Sequence, residues 1–287
     1  MIQRKARRVR RTNRIQELTA RSLDEFVRAA GYFRKTWKKS GYTYDPLWFR
    51  GQDASKKLIP KLYRQMRGRR LHTDDEEEDE LRYEFQQRAV QFPTSRVPAG
   101  EWEWYFLMQH YGMPTRLLDW SEGSLLALHF AIRSNTRSDA AVWVLDPWWL
   151  NKLSLTANQL LDGLSTVQRR WILEYMPDPA DQRTEWIRRY LPETFFKASL
   201  PKFPAALKPP YIDRRIAAQL SAFTIHGAIR DGLGSLVDLD ATPRLGKIRI
   251  QARHVERVRE DLVECGVVET TVFQDLEGLA RELSQGL

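Results

Sequence analysis

The chain has 287 residues, 42% of them hydrophobic, with ten Trp, twelve Phe and ten Tyr; that length and apolar content suffice for a sizeable core and exclude a disordered polypeptide. The formal charge of +9 is concentrated at one end, where residues 1–14 hold Arg4, Lys5, Arg7, Arg8, Arg10, Arg11 and Arg14 and no acid, leaving 39 basic against 37 acidic residues elsewhere. One cysteine, Cys265, excludes an internal disulfide and a cysteine-rich zinc site, and no apolar run approaches 18 residues, so a cytoplasmic protein with no membrane span and no metal is expected.

In chain order, residues 1–21 read as a flexible basic arm, suited to nucleic acid, an acidic partner or anionic lipid, or else serving as a solubilising tail. Ser22 and Glu25 form a capping box, and Phe26, Val27, Ala30 and Phe33 continue a helix to about Trp37. Residues 46–52 read as a short buried strand ending at Gly51. The acidic run from Asp74 to Glu80 follows Arg64, Arg67, Arg69 and Arg70. It is expected to be a solvated loop feeding the acidic first turn of a helix over 77–92, with Leu81, Phe85, Ala89 and Phe92 on one face. Trp102, Trp104, Tyr105, Phe106 and Met108 belong to a helix that Gly112 and Pro114 break. The polar cluster between Gln109 and Trp120 is thereby presented at an element end. Behind it, Leu125 to Ile132 leave almost no polar face, so that helix is buried. Residues 140–146 form a buried strand stopped by Pro147.

From 148 to 210 seven prolines between Pro177 and Pro210 punctuate the chain, with short helical pieces at 167–175 and 184–190, as expected of a large insertion or lid. Residues 213–220 make a helical turn and 222–226 a strand. Period-two alternation at 246–251 gives another strand. Amphipathic helices over 254–265 and 274–283 close the chain, the first capped by Gly266. Strands scattered among helices without βαβ alternation indicate an α+β fold, a mixed sheet core with flanking helices. Residues 22–287 are expected to form one domain carrying the insertion at about 148–210.

The chemistry gathers in three pieces: Arg50-Gly51-Gln52 at a strand end, the His110–Asp119 turn, and Gln219 with Phe223 and His226. Arg50 offers a planar fork for phosphate or carboxylate, and Gly51 would let a ligand approach the backbone. The other reading makes Arg50 the partner of a buried Asp119, with Arg116 as the alternative partner. The five histidines show no metal-ligand spacing, and His129, inside the apolar helix, reads as a satisfied core histidine. No Gly-rich phosphate loop, HExxH or GxSxG is present.

These segments carry a resemblance. Phe49-Arg50-Gly51, the block from Gln109 through Trp120 to Ala131, and the downstream stretch from Arg215 to His226 resemble the FRG domain family, named for its Phe-Arg-Gly tripeptide, over about 23–283. A more distant resemblance is to ADP-ribosyltransferases, which carry an aromatic-Arg-Gly strand, a Ser/Thr strand followed by an Ala-x-x-Phe-Ala helix, and then a Glu. Here Phe49-Arg50-Gly51, Thr115 to Ser121 and Ala127 to Ala131 match, while Gln219 stands where the Glu is expected. The resemblance implies an ADP-ribosyltransferase-like effector of toxin or defence type, using NAD to modify a nucleic acid or a protein. It implies Gln219, Arg50 and Ser121 as catalytic residues, and Arg50, Gly51, Gln52, His110, Tyr111, Thr115, Arg116 and Phe223 as NAD contacts. The alternatives are a non-catalytic nucleic-acid- or phosphate-binding module, combining the arm with Trp148, Trp149, Arg169 and Arg170, and a plain interaction domain.

Overall fold

Short runs rich in β-branched and aromatic residues, such as those at 140–145 and 221–225, extend into strands, and among the described residues seven strands join in one mixed sheet. The computed structural model describes residues 15–37, 46–65, 71–92, 98–133, 137–174, 176–178, 182–191, 200–209 and 217–285. The strands are β1 (Gln16–Ala20), β2 (Trp48–Asp53), β3 (Leu117–Ser121), β4 (Ala140–Leu145), β5 (Ala205–Leu207), β6 (Ser221–Ile225) and β7 (Leu245–Ile250). Their order is β1-β7-β4-β2-β3-β6-β5, with β1 and β7 parallel and every other neighbouring pair antiparallel. The β2–β4 ladder runs six residues from Trp48–Leu145 to Asp53–Ala140. Between β2 and β3 a single position pairs, Phe49 with Ser121. Beyond it the ladder gives way, and side chains of the two strands meet instead.

Helices cover both faces. Alternation in β2 and β4 sends Phe49, Val142 and Val144 to one side, where they pack with α1 (Leu23–Trp37), α5 (Ser124–Ile132) and α9 (Ala252–Glu264). Trp48 and Leu145 point the other way, onto Trp149 and Leu150 of α6 (Pro147–Ala157) and Leu233, Leu236 and Val237 of α8 (Gly232–Val237). At the β6 end, α4 (Glu101–His110) contributes Trp102, Tyr105, Phe106 and Met108 to a third cluster with Phe223 and Ile225. The expected α+β class is what the sequence folds into. Among the described residues no helix is long and apolar enough to cross a membrane.

Gly51 is there for helix packing. A Cβ on it would stand 1.8 Å from the Ala127 carbonyl oxygen and 2.5 Å from the Ala131 nitrogen, so the glycine lets α5 close onto β2. The space a side chain would take is thus filled by α5, while Gly51 itself still lines the cavity described below. Local chemistry places the other ends. Glu25 accepts from the Arg21 backbone N–H at 2.8 Å at the start of α1. Asp146 caps α6, accepting from the Trp148 and Trp149 N–H groups at 2.9 and 3.0 Å with Pro147 in the first turn.

Four sequence expectations differ from the structure. β1 lies inside the range assigned to the flexible arm; Leu18 and Ala20 alternate inward there, a signal too short to stand out beside the charge. All seven basic residues of 1–14, with Arg67, Arg69 and Arg70, lie outside the described residues. The acidic run sits in the body of α3 (Leu71–Ala89) rather than in a loop, and Glu78 is fully buried. Within 148–210, β5 pairs with β6 and is anchored by Asn151, which accepts from the Ala206 N–H at 2.7 Å and donates to its carbonyl at 3.0 Å. That part of the range is core, not lid. Residues 213–216 of the expected turn are outside the described set, and Phe92 lies past the end of α3, exposed.

Candidate functional site

A cavity of about 620 Å³ opens where β2, β3 and β6 come together. The three pieces singled out above reach it from positions up to 173 residues apart: Arg50 and Gly51 from β2, Asp119, Trp120 and Ser121 from β3, and Gln219, Ser221 and Phe223 from β6 and its approach. Phe106, Gln109 and His110 from α4 and Phe130 from α5 complete much of the wall.

Arg50 spans the two strands. Its Nη1 donates to the Asp119 carbonyl at 2.7 Å and to Asp119 Oδ2 at 3.4 Å, and its Nε donates to Gln52 Oε1 at 3.2 Å. Among the described residues Nη2 has no hydrogen bond. Burial lowers the Arg50 pKa, Asp119 opposes that effect, and the like charge of Arg64 adds to it. The ion pair with Asp119 therefore exists, but Asp119 is not the buried carboxylate the sequence suggested: its side chain is 54% exposed and lines the cavity.

Asp119 is positioned from behind. Gln109 Nε2 donates to both carboxylate oxygens, at 2.9 and 3.0 Å. The Gln109 carbonyl accepts from Thr115 Oγ1, and that hydroxyl accepts from the Leu117 N–H at 3.1 Å. Thr115 thus fixes which way the Gln109 amide faces. Ser121 acts on the opposite wall. Its hydroxyl donates to the Gln219 carbonyl at 2.7 Å and accepts from the Gly123 N–H at 3.0 Å. The turn it holds carries Leu220 at φ 47°, a left-handed conformation uncommon for leucine, and Glu122 N–H donates to the Leu220 carbonyl at 3.0 Å. The Gln219 side chain donates to the Val272 carbonyl at 3.3 Å. Phe223 stacks on Phe106, with ring centroids 5.2 Å apart.

Other expected contacts lie elsewhere. Arg116, fully buried, is a core residue outside the cavity wall: its Nε pairs with Glu78 Oε2 at 2.5 Å, Nη1 donates to the His226 carbonyl at 3.2 Å and Nη2 to the Tyr190 carbonyl. Burial lowers its pKa, but Glu78, Tyr105 and Tyr63 together more than offset this and hold it raised. Thr115 is buried behind Gln109, and Tyr111 faces a separate apolar groove between α3 and α4. Gln52 lines a smaller neighbouring lobe, and His226 is buried beside the cavity without lining it.

Sequence reasoning missed Gln109 as the carboxylate holder and Arg281 as a wall residue. Arg281 comes from α11 (Leu276–Gln285) and reaches the cavity because buried Glu269, in α10 (Glu269–Val272), accepts from its Nε at 3.0 Å. The same Glu269 accepts from Arg133 at 3.0 Å and lies 3.1 Å from His129 Nε2. Both guanidiniums sit 4.6 Å from the Phe273 ring centroid. No local pattern announces this cluster, since His129 and Arg133 lie 140 and 136 residues from Glu269. Among the described residues no group of three or more His, Cys, Asp or Glu is placed to hold a metal. No curated protein and no solved structure matches the chain. Residues 45–140, which hold Arg50, Gln109, Asp119 and Ser121, match the family model described as FRG domain.

Proposed function

We propose that the cavity binds NAD as substrate and that the protein is an ADP-ribosyltransferase-like effector, transferring ADP-ribose to a nucleic acid or a protein. The observation that supports this most is the convergence of Arg50, Ser121 and the Gln219 turn on one cavity from three adjacent strands, with Arg50 Nη2 unengaged among the described residues. Transfer breaks the bond between nicotinamide and ribose and forms one between that ribose carbon and a target nucleophile, which gives up its proton. Positive charge grows on the ribose as the bond breaks, so a carboxylate fixed in the cavity favours the reaction. Gln219 carries no charge and its amide is turned to Val272. Asp119 is the charged group that meets the requirement, held by Gln109 and Arg50. Arg50 grips the anionic part of the substrate, and Ser121 keeps the Gln219 turn in place. The stacking surface of the non-catalytic alternative is weakened by Trp149, which is buried with its indole N–H donating to Asp240 at 2.6 Å.

Calorimetric titration with NAD, beside a nicotinamide-release assay with nucleic acid or protein present, tests the reading. Arg50→Lys keeps charge but loses the fork, so affinity is expected to fall about tenfold or more with the fold intact. Asp119→Asn, nearly isosteric, is expected to lower turnover about 100-fold with a smaller change in affinity. A wild-type chain that binds no NAD at millimolar concentration and releases no nicotinamide refutes the proposal.

A further inference from the structure

Beside the main cavity lies a second lobe of about 380 Å³, and the two share Arg50, Gly51 and Phe130. Its polar lining is Arg50, Gln52, Asp53, Lys56 and Arg64. We infer that this lobe is a phosphoryl-binding subsite, in which Arg50, Lys56 and Arg64 receive a phosphate or diphosphate group of a small ligand that extends past Arg50 into the main cavity. The inference deepens the NAD reading, since a dinucleotide carries such a group, and in that respect rests on it.

Three cations reach the lobe from a strand, a turn and a helix. Arg50 comes from β2 and is 15% exposed, Lys56 from the turn after it, and Arg64 from α2 (Lys61–Gln65). Among the described residues neither Lys56 nor Arg64 has an ion-pair partner. Like charges held together are unfavourable unless an anion enters between them. Arg64 is close enough for its charge to help push the Arg50 pKa down. Asp53, the lobe's one carboxylate, is already engaged: Oδ1 accepts from the Ser55 N–H at 2.8 Å and the Ser55 hydroxyl at 2.6 Å, and Oδ2 accepts from Ser138. The bonds from Ser138 and Ser55, with the charge of Lys56 as a smaller cause, hold its pKa down to about 2, and its oxygens are turned toward the serines.

The turn that carries Lys56 is built rather than loose. Ala54 N–H donates to the Asp139 carbonyl at 2.8 Å, Lys56 N–H to the Asp53 carbonyl at 3.1 Å, and Lys247 Nζ to the Ala54 carbonyl at 3.1 Å. Gln52 joins it to Arg50, accepting from Arg50 Nε and donating to the Lys56 carbonyl at 2.8 Å. The amide leaves Arg50 Nη2 as the free donor. A carboxylate is satisfied by one arginine fork, whereas a tetrahedral, multiply charged group makes use of donors arriving from several directions. The class of ligand follows from that count and spread of cations.

The test titrates the full chain with inorganic pyrophosphate and with NAD by calorimetry, at constant ionic strength with sulfate as the competing anion, in wild type and in the Lys56→Ala/Arg64→Ala double variant. Both substituted side chains are exposed, so melting temperature without ligand is expected to stay within a degree or two of wild type. Pyrophosphate is expected to bind wild type in preference to sulfate, and its affinity to fall at least tenfold in the double variant. No pyrophosphate binding by wild type, or equal binding by both proteins, overturns the subsite. Variant-sensitive pyrophosphate binding by a wild type that neither binds NAD nor releases nicotinamide upholds the subsite and refutes the transferase reading. Nicotinamide release with NAD affinity unchanged in the double variant does the reverse.

Discussion

Replacing Glu78 by Ala removes the centre of the most deeply buried charge network among the described residues. Glu78 and Arg116 are both fully buried, with Nε and Oε2 2.5 Å apart. Glu78 Oε1 also accepts from the Tyr105 hydroxyl and from the Arg116 N–H at 3.1 Å. Without the carboxylate, the Arg116 guanidinium keeps backbone acceptors at Tyr190 and His226 but loses the charged partner at its Nε. Breaking a buried pair from one side costs about 3–5 kcal/mol, and the stranded Tyr105 hydroxyl adds about 1 kcal/mol. A loss of about 4–6 kcal/mol is a large part of the roughly 5–15 kcal/mol by which a domain is stable. Urea unfolding followed by tryptophan fluorescence measures it, with the slope checked for a change in the unfolded state. Glu80→Ala, exposed and two positions along, is expected to stay within about 0.5 kcal/mol. Glu78→Met/Arg116→Met is expected to recover much of the loss, because no charge is then buried alone. A Glu78→Ala loss below about 1 kcal/mol, or a double variant that recovers nothing, refutes the reasoning.

Gly51→Ala is expected to cost about 3 kcal/mol or more, since the added Cβ meets α5 backbone that cannot yield; Gly31→Ala, in α1 with nothing within 4 Å, is expected to be neutral or stabilising by up to about 1 kcal/mol. Equal urea midpoints for the two variants would refute the packing role of Gly51. His226 is buried, its Nδ1 without a partner among the described residues, and burial with the charges of Arg50 and Arg116 lowers its pKa from 6.5 to about 3. The unfolded chain binds that proton first as pH falls, so the neutral histidine's contribution is complete above 6.5 and is lost as pH falls toward 3. At two units below the unfolded value the loss is about 2.7 kcal/mol. Stability of wild type and His226→Gln, compared at neutral pH and pH 4.5, is expected to show a shallower acid loss in the variant, and identical pH dependence counts against the assignment.

The class of fold was legible because its strongest signals are local. Helix α1, the apolar block of α5 and the run of β4 stopped before Pro147 fall where periodicity and turn chemistry put them, although Glu25 accepts from the N–H of Arg21 rather than Ser22 and Val27 is exposed. β5 was not legible, being three residues whose strand character comes from β6 and Asn151. Glu78 failed for a related reason. In a run of seven acids every member looks solvated, and only the long-range partner Arg116 singles one out for burial. At the site, Arg50, Ser121 and Gln219 were readable as pieces from the resemblance, and Asp119 was read as buried because its neighbours Leu118 and Trp120 are. β3 alternates, so Asp119 faces away from both.

The segment that matches the family model is not a complete site. Residues 45–140 supply β2, β3 and α5, yet β2 and β3 share one paired position, and each is completed by a strand from farther on, β4 and β6. Gln219, Ser221, Phe223 and Arg281 line the same cavity from beyond the match. Arg116, inside the segment, spends its donors on the carbonyls of Tyr190 and His226, outside it. A fragment of 45–140 would therefore expose those strands' edges and leave a buried arginine short of acceptors, which disfavours folding in isolation. The far half of the chain, which contains the Gln219 turn and the Glu269 clamp on Arg281, closes the cavity that the matched segment leaves incomplete.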